Sequence, residues 1–312
     1  MSYISDKETQ LKSKIIPQTK NADFQAFWEA SVTQLRAVPL NIRREKLKTP
    51  YDKTFTTYEV FFNTHDNTQL SAFFSCPNNP QGKLPCVAEF HGGSGRGKIM
   101  PNIVATGVCC FSVHVRAQGG TVVDRADYGS GDFNGGLMTR GLLDKNDFYM
   151  RNIYLDAVRA MDVIAQLEEV DAERIVTYGG SQGGALSIVA SALSGHSRKC
   201  YSYVTSYCCL HRRTELGSRI FCSTHEFLKS YPQYTDLVLD NLTYFDINNM
   251  VSLLKVPTSF CLALADEVCL PEFVYSAYYH AECQKDIMFV PFAPHALPEP
   301  YKQFAENEFA KL

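Results

Sequence analysis

The sequence predicts an α/β protein whose central sheet is mostly parallel and carries helices on both faces. Short β-type runs alternate with helix-type runs over most of the 312 residues, which is typical of a parallel sheet. One β-type run, residues 175–178, leads directly through a glycine-rich turn into a helix-type run at 185–193. An earlier apolar run, residues 84–90, ends at His91-Gly92-Gly93. We expect residues 1–312 to form a single domain of this class.

Composition is that of an ordinary soluble globular protein, with 45% apolar residues, 20% charged residues and a formal net charge of −3. This charge offers no electrostatic basis for binding nucleic acid or an anionic membrane. Residues 2–20 lack the apolar core of a secretory signal, and no apolar run is long enough to span a membrane. The 11 cysteines show no zinc-type spacing. We therefore expect reduced thiols and a cytoplasmic location. No metal or cofactor is predicted for this chain.

The first half of the chain contains a helix followed by a β-rich region. Residues 22–36 show apolar side chains at helical spacing and predict a helix that docks on the main domain, with Trp28 as a packing anchor. Alternating residues predict the next two strands, and continuous apolar runs predict the two after them. These strands are expected at 57–62 and 70–74, joined by a turn at 63–67, then at 84–90 and 108–115, before a helix at 147–169.

The second half continues the alternation after the glycine-rich turn. Residues from about 210 to 250 are short, mixed helical and aromatic segments, and an insertion at this point is typical of a lid over an active site. The remaining predicted elements are strands at 201–207, 256–263 and 287–290, a helix around 273–278, and a helical tail at 301–312.

The glycine-rich turn has the G-x-S-x-G pattern of a nucleophile elbow, with Ser181 at its centre. The elbow needs neighbours without a Cβ, because side chains there collide with the adjacent strand or helix. Glycines occupy positions 179, 180, 183 and 184. The N–H of Gln182, at the start of the following helix, is then placed to bind an oxyanion. The alternative is a turn whose serine merely caps a helix.

His91-Gly92-Gly93 follows a buried strand, where an α/β hydrolase provides its second oxyanion donor. The N–H of Gly93 is the best candidate for that donor. The alternative is a flexible or phosphate-cradling loop, but the chain has no P-loop pattern to support phosphate binding.

A nucleophilic serine needs a base and an orienting carboxylate, which follow in the order serine, acid, histidine in this fold. Asp266 follows a strand after Ser181, and His295 follows the next strand. Glu267 competes with Asp266 if the turn is rotated by one residue. The weaker competitors are Asp240 and Asp246, which lie in the predicted lid region, and four histidines that are not at strand ends, His196, His211, His225 and His280.

Several segments resemble the acetyl xylan esterase and cephalosporin-C deacetylase family, carbohydrate esterase family seven. The resemblance covers nearly the whole chain. The segments are Gly-Leu-Met-Thr-Arg-Gly at 136–141, Gly-Gly-Ser-Gln-Gly-Gly at 179–184, Ala-Asp-Glu-Val-Cys-Leu-Pro at 265–271, Val-Arg-Ala-Gln-Gly at 115–119, and Asp-Phe with Phe-Trp at 23–28.

The resemblance implies Ser181 as nucleophile, His295 as base and Asp266 as acid, with Gly93 and Gln182 as oxyanion donors. It implies that Arg116 and Gln118 are structural residues near the site. The implied substrates are small acetylated carbohydrates, such as short xylo-oligosaccharide acetates, and antibiotic esters such as cephalosporin C. The implied assembly is a cytoplasmic homohexamer that needs no metal.

Three residues depart from the family pattern. Gly93 stands where the family usually has tyrosine, Ala117 replaces a glycine, and Ala296 follows His295 where glutamate is usual. The first change removes an aromatic wall of the acyl pocket. These departures leave the expected reaction class unchanged and bear on acyl and alcohol preference.

The hypothesis is therefore a serine esterase that works through an acetyl-enzyme. Two alternatives stay open. One is another short-chain acyl esterase or a serine peptidase of the prolyl-oligopeptidase type, although there is no room before residue 80 for the propeller such peptidases usually carry. The other is a catalytically silent member that acts as a scaffold.

Overall fold

The computed structural model describes residues 3–66, 68–217 and 219–312. Its strands are β1 (Arg43–Leu47), β2 (Phe55–Asn63), β3 (Gln69–Pro77), β4 (Leu84–Phe90), β5 (Cys109–Val113), β6 (Val170–Gly180), β7 (Ser197–Tyr203), β8 (Thr258–Ala263) and β9 (Lys285–Val290). Its α-helices are α1 (Tyr3–Lys12), α2 (Phe24–Arg36), α3 (Pro101–Val104), α4 (Tyr149–Ile164), α5 (Gln182–Leu193), α6 (Leu210–Glu215), α7 (Cys222–Ser230), α8 (Thr235–Thr243), α9 (Ile247–Met250), α10 (Pro271–His280) and α11 (Glu299–Phe309).

The strands of the described residues form one sheet in the order β1-β2-β3-β5-β4-β6-β7-β8-β9. Strands β4 to β9 are parallel, and β1, β2 and β3 add antiparallel pairs at one edge. Because β6 lies in the middle and runs parallel to its neighbours, its carboxyl end meets those of β4 and β7 at one edge of the sheet. This is where a doubly wound sheet places a ligand.

Helices cover both faces of the sheet. Along β4, Ala88 and Phe90 pack in the same core as α4 and α5, whereas Val87 packs with α3 and α11 on the other side. Successive side chains of a strand point to opposite faces, so a continuous apolar strand requires helices on both sides. The predicted fold class is confirmed.

Some predicted element boundaries are wrong. The strand predicted at 201–207 begins at Ser197 and ends at Tyr203, because Val204 adopts a positive φ of 41° that an extended strand does not allow. The helix predicted at 147–169 is shorter, because α4 ends at Ile164 and residues 165–169 form turns that lead into β6 at Val170. The turn predicted at 63–67 includes Asn67, which lies outside the described residues.

Two further segments, helix α2 and the insertion after β7, pack outside the sheet. Helix α2 docks through Trp28, whose buried indole donates from Nε1 to the Tyr244 carbonyl at 3.0 Å and packs beside Tyr154. The predicted 210–250 insertion consists of α6 to α9 with short 3₁₀ turns. No helix among the described residues is long and apolar enough to cross a membrane.

Candidate active site

Ser181 lies in the sharp turn between β6 and α5. Its backbone has φ 56° and ψ −122°, a conformation that L-residues rarely adopt. The turn is held by two backbone hydrogen bonds: the Ser181 N–H donates to Tyr203 at 3.0 Å, and the Ser206 N–H donates to the Ser181 carbonyl at 3.0 Å. The strained serine is therefore supported from β7 and the segment that follows it.

Glycine is required next to Ser181 for steric reasons. A Cβ on Gly183 would overlap the carbonyl oxygen of Phe90, and a Cβ on Gly180 would overlap the ring of Tyr203. The first contact allows α5 to approach the end of β4, and the second allows β6 to lie against β7. The glycine pattern in the sequence thus reflects close backbone approach at the elbow.

His295 and Asp266 meet Ser181 at the carboxyl edge of the sheet. Nδ1 of His295 lies 2.8 Å from Oδ2 of Asp266, and Nε2 lies 3.0 Å from Oγ of Ser181. Because a carboxylate only accepts, Nδ1 carries the proton and Nε2 of the neutral ring is left free to accept the serine proton. The three side chains form the hydrogen-bonded series that an activated serine requires.

The Asp266 carboxylate is held in one orientation by its own turn. Oδ1 accepts from the N–H groups of Val268 and Cys269, both at 2.8 Å, so that Oδ2 faces the histidine. Asp266 is 3% exposed, whereas the competing Glu267 is exposed. Asp266, Cys269 and His295 also form the one cluster in the described chain with the donor spacing of a metal site.

The other candidate acids and bases have partners elsewhere. Their hydrogen bonds join His196 to Asp162, His211 to the Leu239 carbonyl, His225 to the Thr214 carbonyl, His280 to the Ile16 carbonyl, Asp240 to Asn21, and Asp246 to the N–H groups of Cys209, Leu210 and Asn248.

The His-Gly-Gly loop lies beside the elbow. A Cβ on Gly92 would be 3.8 Å from Cβ of Ser181. The N–H groups of Gly93 and Gln182 make no hydrogen bond to any described residue. His91 braces the loop: Nε2 accepts from Val115 N–H at 3.1 Å and Nδ1 donates to the Gly92 carbonyl at 2.7 Å. Burial lowers the pKa of His91 to about 4, so its ring is neutral.

Two glutamine side chains connect both candidate oxyanion donors. Gln118 and Gln182 exchange reciprocal amide hydrogen bonds of 2.8 and 3.0 Å. Oε1 of Gln118 also accepts from Ser94 N–H at 2.9 Å, which fixes the residue after Gly93. Tyr207 donates to Oε1 of Gln182 at 2.7 Å. Sequence reasoning missed Tyr207, because it placed this residue in a strand and no motif marks it.

Arg116 anchors the loop that carries Gln118. Its fully buried guanidinium contacts three carboxylates, Asp66, Asp124 and Asp156, which come from three separate segments. Burial raises the pKa of Asp156 to about 6, against the lowering effect of Arg116. Ala117 has a φ of 59°, which explains why glycine suits this position; a non-glycine residue there costs about 1 kcal/mol.

A cavity of about 230 Å³ opens beside the elbow. Gly93, Gln182, Tyr207 and Ser223 line it, together with Leu137 and Met138 of the 3₁₀ turn Leu137–Thr139. A larger hollow of about 810 Å³ lies around Arg36, Asp162 and His196, remote from Ser181. We place the site at the smaller cavity because both candidate oxyanion donors, Gly93 and Gln182, line it and Gln182 directly follows Ser181.

We expect activity to rise with pH through the alkaline range. Hydrogen bonding to Asp266, followed by the Cys269 contact, raises the pKa of His295 to about 9 against the effect of burial. A general base must be neutral, so kcat/KM for an uncharged ester should increase about tenfold per pH unit and level off near pH 9. The measurement is a pH profile on p-nitrophenyl acetate, with Ser181→Ala as the blank for spontaneous hydrolysis.

The raised pKa of His295 also makes the stability of the fold depend on pH. The pKa of His295 in the folded protein lies above its unfolded value of about 6.5. The protonated His295 therefore contributes its full stabilisation below about pH 6.5, and this contribution is lost as the pH rises through about 9.

The activity profile can also contradict this account of His295. It would do so if kcat/KM already reached its plateau by about pH 7.

The sheet order, the elbow and the strand-end residues define the class of the molecule as an α/β hydrolase. Residues 4–311 match the acetyl xylan esterase family, and the chain belongs to that family. The predicted family is therefore confirmed over almost the whole chain.

Solved structures of similar proteins agree with this assignment. An acetyl xylan esterase from Paenibacillus sp. R4 has a TM-score of 0.90 at 30% identity, covering 97% of this chain and 98% of its own. Acetyl xylan esterase 1 from a Thermoanaerobacterium species has a TM-score of 0.89 at 25% identity with the same coverage, 97% and 98%. An acetyl esterase of Xylanibacter ruminicola is 25% identical over 289 residues, which are 89% of this chain. The chain spans 64% of the length of that relative.

Proposed function

We propose that the protein is a serine esterase that removes acetyl groups from small acetylated carbohydrates. One observation carries the proposal: the hydrogen-bonded series Ser181–His295–Asp266 stands at the carboxyl edge of the sheet in a member of the acetyl xylan esterase family. The similar proteins are an acetyl esterase and two acetyl xylan esterases, and their names support acetyl as the acyl group and a carbohydrate as the alcohol of the substrate.

The first half of the proposed reaction forms an acetyl-enzyme. Nε2 of His295 accepts the Ser181 proton as Oγ attacks the carbonyl carbon of the ester, and Asp266 stabilises the imidazolium that results. The N–H groups of Gly93 and Gln182 stabilise the oxyanion, because both are free of other hydrogen bonds in the described structure. His295 then donates its proton to the sugar oxygen, and the C–O bond to the alcohol breaks.

The second half repeats these steps with water. His295 takes a proton from the water, the resulting hydroxide attacks the acetyl carbonyl, and Ser181 leaves with the proton that His295 returns. The Gln118–Gln182 pair fixes both oxyanion donors throughout, since its amides bind Ser94 N–H on one side and hold Gln182 on the other. Each half of the reaction therefore uses the same groups.

The size of the cavity supports a small acyl group. At about 230 Å³ it lies below the usual range for drug-sized ligands, about 300–1,000 Å³. A Cβ at Gly93 would meet only Oε1 of Gln182, at 4.0 Å, so this side of the cavity is unfilled. Cephalosporin-C-like esters, a cytoplasmic location and a hexamer follow from the family resemblance and stay predictions.

Hydrolysis of p-nitrophenyl esters from acetate to octanoate tests the proposed acyl preference. We expect a Ser181-dependent kcat/KM that is highest for acetate or propionate and falls at least about tenfold by hexanoate, because Leu137, Met138 and Tyr207 close the cavity. Gly93→Tyr is the matched variant. Its larger side chain should fill the open side of the cavity, so that kcat/KM decreases more steeply with acyl-chain length than in the wild type. A maximum at longer chains in the wild type would contradict an acetyl preference.

Two assays address the alternative functions. Faster turnover of aminoacyl-nitroanilides than of acetyl esters would favour the serine peptidase. Failure of the folded protein to react with a fluorophosphonate would favour the silent scaffold, since this reagent requires an activated serine.

A further inference from the structure

Cys269 places a thiol beside the histidine and aspartate of the proposed site. The potential donor atoms of Asp266, Cys269 and His295 all lie within 4.8 Å of one another. Cys269 is 1% exposed, and its backbone N–H already binds the Asp266 carboxylate. The proposed hydrolytic steps use no thiol as nucleophile, acid or base, and Cys269 enters them only through its contact with His295.

We propose that Asp266, Cys269 and His295 form an inhibitory binding site for Zn²⁺. The three residues offer one oxygen, one sulfur and one nitrogen, all of which Zn²⁺ accepts at short distance. A carboxylate and a thiolate together balance the charge of the ion, and the imidazole binds as the neutral ring. Three protein ligands leave a fourth tetrahedral position for water.

Two of the three proposed zinc ligands, Asp266 and His295, are already in contact. The Asp266 carboxylate is fixed by two backbone N–H groups at 2.8 Å, and Oδ2 and Nδ1 stand 2.8 Å apart. Ligands of one tetrahedral zinc ion lie farther apart than this, so His295 has to move slightly outward. It can do so because its side chain is 24% exposed and sits on the loop after β9. Approach is thus from the solvent side of His295.

Occupation would stop hydrolysis through the base. Zn²⁺ replaces the proton on Nδ1 and separates His295 from Asp266, so Nε2 loses the orientation toward Ser181 that proton transfer needs. Inhibition, though not binding, rests on the proposed role of His295 in the function above. A direct binding measurement therefore separates failure of this inference from failure of the proposed function.

The experiment compares wild type, Cys269→Ser and Cys222→Ser, each normalised to its own rate without metal. Cys222 is the matched control, because it is exposed and precedes Ser223, which lines the cavity. Zn²⁺ should inhibit wild type and Cys222→Ser reversibly, with recovery on adding a chelator. Cys269→Ser should need at least about tenfold more Zn²⁺ for half inhibition. Mg²⁺ should not inhibit, since it prefers oxygen ligands.

Binding is measured separately with Co²⁺ as a spectroscopic probe of the zinc site. A thiolate-to-cobalt charge-transfer band should form in wild type and in Ser181→Ala, be displaced by Zn²⁺, and be absent in Cys269→Ser. The proposal is overturned if Cys269→Ser binds Co²⁺ with the same spectrum, if Cys222→Ser alone abolishes inhibition, or if no band forms in wild type.

Discussion

Replacing Ser181 with alanine is expected to lower kcat for p-nitrophenyl acetate by about 10⁴-fold or more. The variant keeps the Gly93 and Gln182 donors and the His295–Asp266 pair, but it has no oxygen to form the acetyl-enzyme. Residual activity then comes only from binding and the oxyanion site. The measurement is steady-state hydrolysis, corrected for spontaneous hydrolysis at the same pH.

Folding and labelling provide the controls for this variant. Ser181 is an intermediate-exposure residue at the start of α5, and alanine there removes one hydroxyl without adding bulk. We expect an unchanged circular dichroism spectrum. A fluorophosphonate should modify the wild-type peptide that contains Ser181 and leave the variant unmodified. Esterase activity within about tenfold of the wild type in a folded variant would show that another residue is the nucleophile.

Replacing Asp266 with asparagine is expected to lower kcat by about 10⁴-fold. The asparagine amide can still occupy the position of Oδ2, but it can present a donor to Nδ1 and so stabilise the wrong tautomer of His295. Since Asp266 is the main cause of the raised His295 pKa, the remaining pH profile should also move to lower pH. The measurement is kcat and the pH dependence of kcat/KM on p-nitrophenyl acetate.

Glu267→Gln is the matched control for that substitution. It neutralises the adjacent carboxylate in the same turn, but Glu267 is exposed and makes no hydrogen bond to His295. We expect its kcat to stay within about twofold of the wild type. If Glu267→Gln lost as much activity as Asp266→Asn, the orienting acid would have been assigned to the wrong residue.

The parts of the site that a local pattern specifies were predictable from sequence. Gly-x-Ser-x-Gly specifies the Ser181 elbow because both glycines lie against backbone atoms that leave no space for a Cβ. Gly183, for example, lies against the carbonyl oxygen of Phe90. Asp266 and Glu267 could not be separated with certainty from sequence, since a one-residue rotation of the turn exchanges them. The structure separates them through the two N–H groups that hold Asp266.

Contacts between distant segments were not predictable. Tyr207 reaches Gln182 from the segment after β7, in which Val204 and Tyr207 both have a positive φ. In the sequence, Cys269 has no motif that separates it from the other cysteines, and only the fold places it beside His295. In both cases the partner lies more than twenty residues away, and no periodic pattern records the contact.

The fold was predicted where strands are apolar and missed where they are polar. Strand β1 is exposed and rich in charge, so it shows no alternation; it forms by antiparallel pairing with β2 and through the Arg44–Glu169 ion pair. Helix α1 was missed for a similar reason, since Leu11 is its one buried residue and packs with Tyr275 of α10. Such edge elements depend on tertiary contacts.

Release of acetate from an acetylated xylo-oligosaccharide, with wild type beside Ser181→Ala, tests the central claim most directly. We predict that the wild type releases acetate and that the serine variant does so at least about 10⁴-fold more slowly. No release by folded wild-type protein that still hydrolyses p-nitrophenyl acetate would contradict the carbohydrate substrate. Equal release by both proteins would contradict the Ser181 mechanism itself.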